Sequence, residues 1–210
     1  MKIDIVSDVV CPWCIIGYRQ LQQALEATGI EAEIHWHPFE LNPDMPAEGE
    51  ALRDHVMRKY GSSAEESEAN RSRLVSIGAE LDIDFKFDDT SHIRNTFDAH
   101  QLMHWADTLG RKNDLKQALF QAYFTEQLDV SDRQVLIDKA VSLGLDKEEA
   151  TAVLEDQRYA ETVRSNEQLW VSRGIQGVPA VILGEKYLLS GAQGVENFSA
   201  ALKQVESETA

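Results

Sequence analysis

The first 38 residues constrain the fold most. Lys2 to Val6 alternates apolar Ile3 and Ile5 around Asp4, the period of a short strand. Cys11-Pro12-Trp13-Cys14 follows, and residues 13 to 28 then place Leu21, Ala24 and Leu25 at helical spacing until Gly29 stops the run. Ile34 and Trp36 mark a second strand that ends at Pro38, with His35 and His37 on one of its faces and Trp36 on the other. Strand, helix and strand make a βαβ unit, which crosses over right-handedly and lays its strands parallel. The CxxC therefore sits where a strand turns into a helix.

The rest of the chain divides by periodicity. Residues 38–50 hold three of the five prolines and read as an extended loop, because each proline restricts its predecessor and lacks a donor. From about 51 to 173 the pattern is helical almost throughout, with breaks at Gly61-Ser62-Ser63, Ile83 to Thr90, Gly110 and Gly144. Leu115, Ala118, Leu119, Ala122 and Tyr123 form one apolar stripe, the mark of a core-facing helix. After Gly174, PAVILG and KYLLSG read as two strands joined at Gly184-Glu185, and residues 195–206 as an amphipathic helix ahead of a frayed acidic end, VESETA. The order is β-α-β, a helical block, then β-β-α. Residues 1–45 and 160–210 would form a small α/β domain, and 46–159 an inserted helical subdomain.

Charge excludes whole classes of partner. Lys and Arg total 20 against 36 Asp and Glu, a formal charge of −16, so phosphate backbones and anionic membrane surfaces are repelled. No run of 18 apolar residues occurs, and the opening MKIDIV lacks the apolar stretch of a signal peptide. The expectation is a cytoplasmic protein that binds neither nucleic acid nor membrane.

Cys11 and Cys14 are the two cysteines of the chain, and two placed at random would fall three apart about one time in a hundred. Two cysteines cannot staple a domain of this size, and a reducing cytosol disfavours a permanent disulfide, which leaves chemistry. The reacting species is a thiolate, and an ordinary cysteine of pKa about 8.5 is only about 3% ionised at neutral pH. A helix N-terminus supplies unpaired N–H groups and the positive end of a dipole, and Pro12 suits the first helical position. On this reading Cys11 is an exposed, acidified attacking thiol and Cys14 a buried resolving thiol. Two rivals are a zinc site completed by His100 and His104, four apart on a helix, and a pair of inert buried thiols. The 85-residue gap to His100 and the strand-to-helix position of the CxxC weigh against zinc.

Asp8-Val9-Val10-Cys11-Pro12-Trp13-Cys14 with Ile16-Gly17, Pro38 to Pro43, Asn95 to His100, Gly177-Val178-Pro179 and Ser190 to Gln193 together resemble the DsbA-like thioredoxin-fold oxidoreductases, in particular the FrnE-type branch named for polyketide biosynthesis. The resemblance implies an α/β thioredoxin-like fold with a large all-helical insertion. It implies a cis bond before Pro179, in a loop that faces the CxxC, shields the sulfurs from metals and pairs with an extended substrate. Cys11, Cys14 and Pro179 would be the catalytic set, and Pro12, Trp13, Val178, Asn95 and His100 would contact substrate. The expected activity is thiol-disulfide exchange on protein or small-molecule disulfides, with no bound cofactor or metal and with glutathione as a candidate co-substrate. The alternative is a glutathione-dependent transferase or isomerase of the kappa-class or 2-hydroxychromene-2-carboxylate type, relatives that carry serine where Cys11 stands.

Overall fold

A computed structural model describes residues 1–209. In chain order the elements are β1 (Lys2–Ser7), α1 (Pro12–Thr28), β2 (Glu33–Pro38), β3 (Glu50–Ala51), α2 (Leu52–Tyr60), α3 (Ala64–Glu80), β4 (His92–Ile93), α4 (Phe97–Thr108), α5 (Lys112–Phe124), α6 (Arg133–Ser142), α7 (Lys147–Asp156), α8 (Ala160–Ser172), β5 (Ala180–Leu183), β6 (Tyr187–Ser190) and α9 (Val195–Thr209). The chain divides into two compact units, Met1–Leu41 with the segment from Arg164 onward, and Asn42–Val163.

The first unit is built on a four-stranded sheet of order β2-β1-β5-β6. β1 runs parallel to β2, as a βαβ crossover requires, and antiparallel to β5, with Ile5 opposite both Trp36 and Val181. Pleating sends Ile3 and Ile5 to one face of β1 and Asp4 and Val6 to the other, yet all four are buried. Val6 packs with Trp170, Ile175 and Ala180, flanked by Phe39, Val178 and Ile182. Asp4 is covered on that same face and takes a hydrogen bond from His37 Nε2 at 2.7 Å, which satisfies a carboxylate that burial would otherwise penalise. Helix α1 packs against α9 and stops at Gly29, whose φ of 70° suits a residue without a Cβ.

In the second unit, Leu102, Leu115, Leu119, Phe120, Leu136, Val153 and Leu154 are buried together with much of the apolar stripe expected on α5. A polar knot joins three of its helices. Asp98 accepts from Gln101 at 3.2 Å, from Gln157 at 2.9 Å and from Arg133 at 2.8 Å.

Four details depart from the sequence reading. The two-residue ladder of β3 with β4, Glu50 opposite Ile93, is too short to carry a periodic signal. Breaks also fall after α5 and after α7, where Gln127 and Gln157 take φ of 56° without a glycine to announce them. Gln157 closes α7 as a left-handed cap, and its side chain donates to Leu154 O and Asp98, which explains why glutamine is tolerated there. The acidic end is helical to Thr209, because Lys186 and Tyr187 on and beside β6 hold Glu208 at 2.7 and 2.6 Å.

Candidate active site

The strand-to-helix junction is built by backbone hydrogen bonds. After β1 the chain turns at Asp8, whose carbonyl accepts from Cys11 N–H at 3.4 Å. Cys11 takes the extended N-cap conformation (φ −93°, ψ 110°), Pro12 opens α1, and Cys14 N–H donates to the Cys11 carbonyl at 3.0 Å. This sets the two cysteines one turn apart at the positive end of the helix. Both are free thiols. Trp13, between them, is 37% exposed and Cys14 fully buried.

Across from Cys11 lies the Val178–Pro179 turn, and its peptide bond is cis, as the resemblance implied. The Cys11 thiol donates to the Val178 carbonyl at 3.6 Å. Val178 is anchored in the apolar cluster around Trp170, and the Pro179 carbonyl accepts from Gly191 N–H at 2.7 Å. An open groove of about 400 Å³ runs along Ile175 to Ala180 and is bordered by Leu188 and Ser190 of β6, one of the two edge strands of the sheet.

The expectation of an exposed, acidified Cys11 is corrected. Its residue is 3% exposed, because Val178 covers the sulfur and the preceding Val9 and Val10 are themselves packed inside. Burial pushes the Cys11 thiol up, the neighbouring Cys14 sulfur and the Asp8 carboxylate push it further, and the Cys14 N–H at the helix start pulls the other way without prevailing. The helix terminus is adjacent to Cys11 in the chain, whereas the turn above the sulfur lies 167 residues away.

Asp8 belongs to the motif that carries the resemblance, but its role is visible only in the structure. It is fully buried; Oδ1 accepts from Val9 N–H at 2.7 Å and Oδ2 from Leu41 N–H at 2.8 Å, so it ties the turn before the CxxC to the loop after β2. The available signal was an acid between a strand end and the apolar pair Val9-Val10.

Pro12, Trp13, Val178 and Pro179 thus share the first unit with both cysteines, while Asn95 and His100 belong to the second. Asn95 Oδ1 accepts from Phe97 N–H at 2.9 Å at the start of α4, and Asn95 Nδ2 donates to Met45 O at 3.4 Å. His100 is 2% exposed within α4. Among the described residues no three His, Cys, Asp or Glu side chains are grouped to hold a metal ion, and no helix is long and apolar enough to cross a membrane.

The arrangement places a covered thiol beside a carbonyl edge with a second thiol beneath it, a geometry able to exchange disulfides. The sequence profile of the DSBA-like thioredoxin domain matches residues 2–203. The uncharacterised protein YwbO of Bacillus subtilis is 25% identical over 209 residues, 99% of this chain and 98% of that protein. The crystal structure of a probable DsbA oxidoreductase from Streptomyces coelicolor superposes with a TM-score of 0.92 at 34% identity, over 99% of this chain and 91% of that one. The cytosolic disulfide reductase DsbM of Pseudomonas aeruginosa, solved with GSH, shares the fold with a TM-score of 0.64 at 15% identity, over 99% of this chain and all of that one.

Proposed function

Since the chain belongs to the DSBA-like thioredoxin domain family, we propose that it is a dithiol-disulfide oxidoreductase in which Cys11 attacks and Cys14 resolves. The observation that carries this reading is the pairing of Cys11 with the Val178 carbonyl, beside Pro179 and above Cys14 on one helix turn. Deprotonated Cys11 attacks one sulfur of a substrate disulfide; the S–S bond breaks and the other sulfur leaves as a thiolate that takes up a proton. Cys14 then loses its proton and attacks the Cys11 sulfur, which closes the Cys11–Cys14 disulfide and releases the second substrate thiolate. Two electrons pass to the substrate, and two molecules of a small thiol restore the dithiol.

The direction we propose is reduction, in a compartment with a thiol pool. Strong oxidants of this fold owe their poise to a stabilised reduced thiolate. Here burial, the neighbouring Cys14 sulfur and Asp8 disfavour that thiolate, which removes the stabilisation of the dithiol that a strong oxidant relies on. Glutathione is the proposed electron source, a role supported by the DsbM structure with GSH. Its substrates are proposed to be extended disulfide-bearing chains, which can lie along the groove at Leu188 and pair with the Val178 edge. The transferase or isomerase reading is the weaker one, because it leaves Cys14 without a task.

Equilibration with glutathione buffers, read by counting free thiols, tests this directly. A two-electron midpoint toward the roughly −270 mV end of this fold supports a reductase, and one near about −120 mV overturns the direction. Two thiols that never convert to a disulfide would overturn the dithiol reading altogether.

A further inference from the structure

Gly17 lies in the second turn of α1, three residues after Cys14, and is buried. Glycine inside a helix costs stability relative to alanine, so a buried helical glycine calls for a reason. The helical backbone supplies none, but the surrounding space does. A Cβ on Gly17 would stand 3.2 Å from Cγ of Pro179, and 3.6 and 3.7 Å from Cα and Cβ of Ala192. The first distance is tighter than ordinary carbon contact, and the atom it meets sits on a ring fused to the backbone of the turn, which can give only by repuckering or by moving the turn itself.

Two hydrogen bonds fix the same surroundings. Gln20, one turn further along α1, accepts from Gly194 N–H at 2.9 Å, and Gly191 N–H holds the Pro179 carbonyl at 2.7 Å. The turn at Pro179 and the loop after β6 therefore rest on one stripe of α1, at Gly17 and Gln20. The same helix carries Cys11 at its cap, and the Val178 carbonyl reaches the Cys11 sulfur at 3.6 Å. How deeply the proline ring beds against α1 sets how closely Val178 covers that sulfur.

We propose that Gly17 is a positioning residue for disulfide exchange: by carrying no side chain it lets Pro179 bed against α1 and holds the Val178 carbonyl over Cys11. This rests on the dithiol reading of the site. It also bears on substrate choice. With the turn at this depth Cys11 is 3% exposed, so a small reagent with no peptide backbone to pair along the Val178 edge is hindered, whereas a peptide, the tripeptide glutathione included, is delivered to the sulfur. A methyl group at position 17 lifts the turn by a few tenths of an ångström, which opens Cys11 to small reagents and misplaces the edge that aligns a chain.

Gly17→Ala tests this, with Ala192→Val as a second variant that crowds the same gap from the loop side. Reduced protein is treated with iodoacetamide and the alkylated cysteines are mapped; exchange with a disulfide-bearing extended peptide is timed alongside. Cys11 alkylation should quicken, Cys14 should stay unreactive, and peptide exchange should slow roughly three- to tenfold. Wild-type rates in both variants would overturn the inference, and so would equal reactivity of Cys11 and Cys14, which would mean general loosening. A wild-type chain inert toward every disulfide would instead sink the dithiol reading and this inference with it.

Discussion

Asp98 in the helical unit and Asp8 in the sheet unit are both acids held by several donors, and they put their charge to different use. Asp98 meets the side chains of Gln101, Gln157 and Arg133, from three stretches of helix, and the guanidinium at 2.8 Å offsets its charge. Asp8 meets two backbone N–H groups, of Val9 and Leu41, and its charge acts on Cys11, whose ionisation it opposes. A carboxylate matched by side-chain donors acts as a fastener between elements; one held by backbone dipoles three residues before a thiol also sets that thiol's chemistry.

The comparison can be broken by substitution, starting with the largest effect. Phe120 is fully buried in the helical unit, and Phe120→Ala should cost about 3–5 kcal/mol of unfolding free energy in urea. A loss below about 1 kcal/mol would mean that this unit is not packed as described. Asp98→Ala removes the shared acceptor of three side chains and should cost about 2 kcal/mol, again read from urea unfolding, and a loss below about 0.5 kcal/mol would show that Asp98 is not a fastener. Asp8→Asn keeps the shape of the side chain and removes its charge, at the loss of one of its two bonds from backbone N–H groups. The rate of Cys11 alkylation should then rise at lower pH than in the wild type, since loss of a negative neighbour eases ionisation; an unmoved pH profile would show that Asp8 serves as a fastener alone.

The sign of the linkage on stability follows from the same residue. With the Cys11 thiol held above its ordinary value in the fold, the unfolded chain ionises first, so the stabilisation is complete below the ordinary pKa of about 8.5 and fades as pH rises beyond it. Reduced wild type should lose stability between neutral and strongly alkaline pH, and Cys11→Ser should flatten that decline. The smallest effect belongs to Glu208, an exposed acid pulled down to about 2 by hydrogen bonds from Lys186 and Tyr187. Its contribution is present above the ordinary carboxylate range near about 4.3 and is lost as pH falls toward 2, so Glu208→Gln should lower neutral stability slightly and leave stability near pH 2 unchanged.

The two units also differ in how openly the sequence declares them. β1, α1 and β2 were legible because Ile3, Ile5, Leu21, Ala24 and Trp36 follow strict periods, and Pro12 and Gly29 punctuate them. In the helical unit the ends of α5 and α7 are not announced by a glycine, since Gln127 and Gln157 adopt left-handed backbone there and their side chains reach Asp88 and Asp98, far off in sequence. At the site, CxxC spacing and Pro12 gave the thiol pair and its place at a helix start. The lid over Cys11 and the inward direction of Asp8 were not legible, because each depends on residues far apart in the chain: Val178 lies 167 residues from Cys11, and Leu41 lies 33 from Asp8.

The central claim is that Cys11 attacks a substrate disulfide and Cys14 resolves the product. Cys14→Ser removes the resolving thiol and leaves the nucleophile, so incubation with a disulfide-bearing peptide should accumulate a mixed disulfide on Cys11, seen as a mass increase of one peptide thiol that dithiothreitol removes. Cys11→Ser should trap nothing, since a serine hydroxyl at its own pKa is a far weaker nucleophile. Adducts that form on Cys14 in the Cys11→Ser variant, or a Cys14→Ser variant that turns over with no trapped species, would contradict the account.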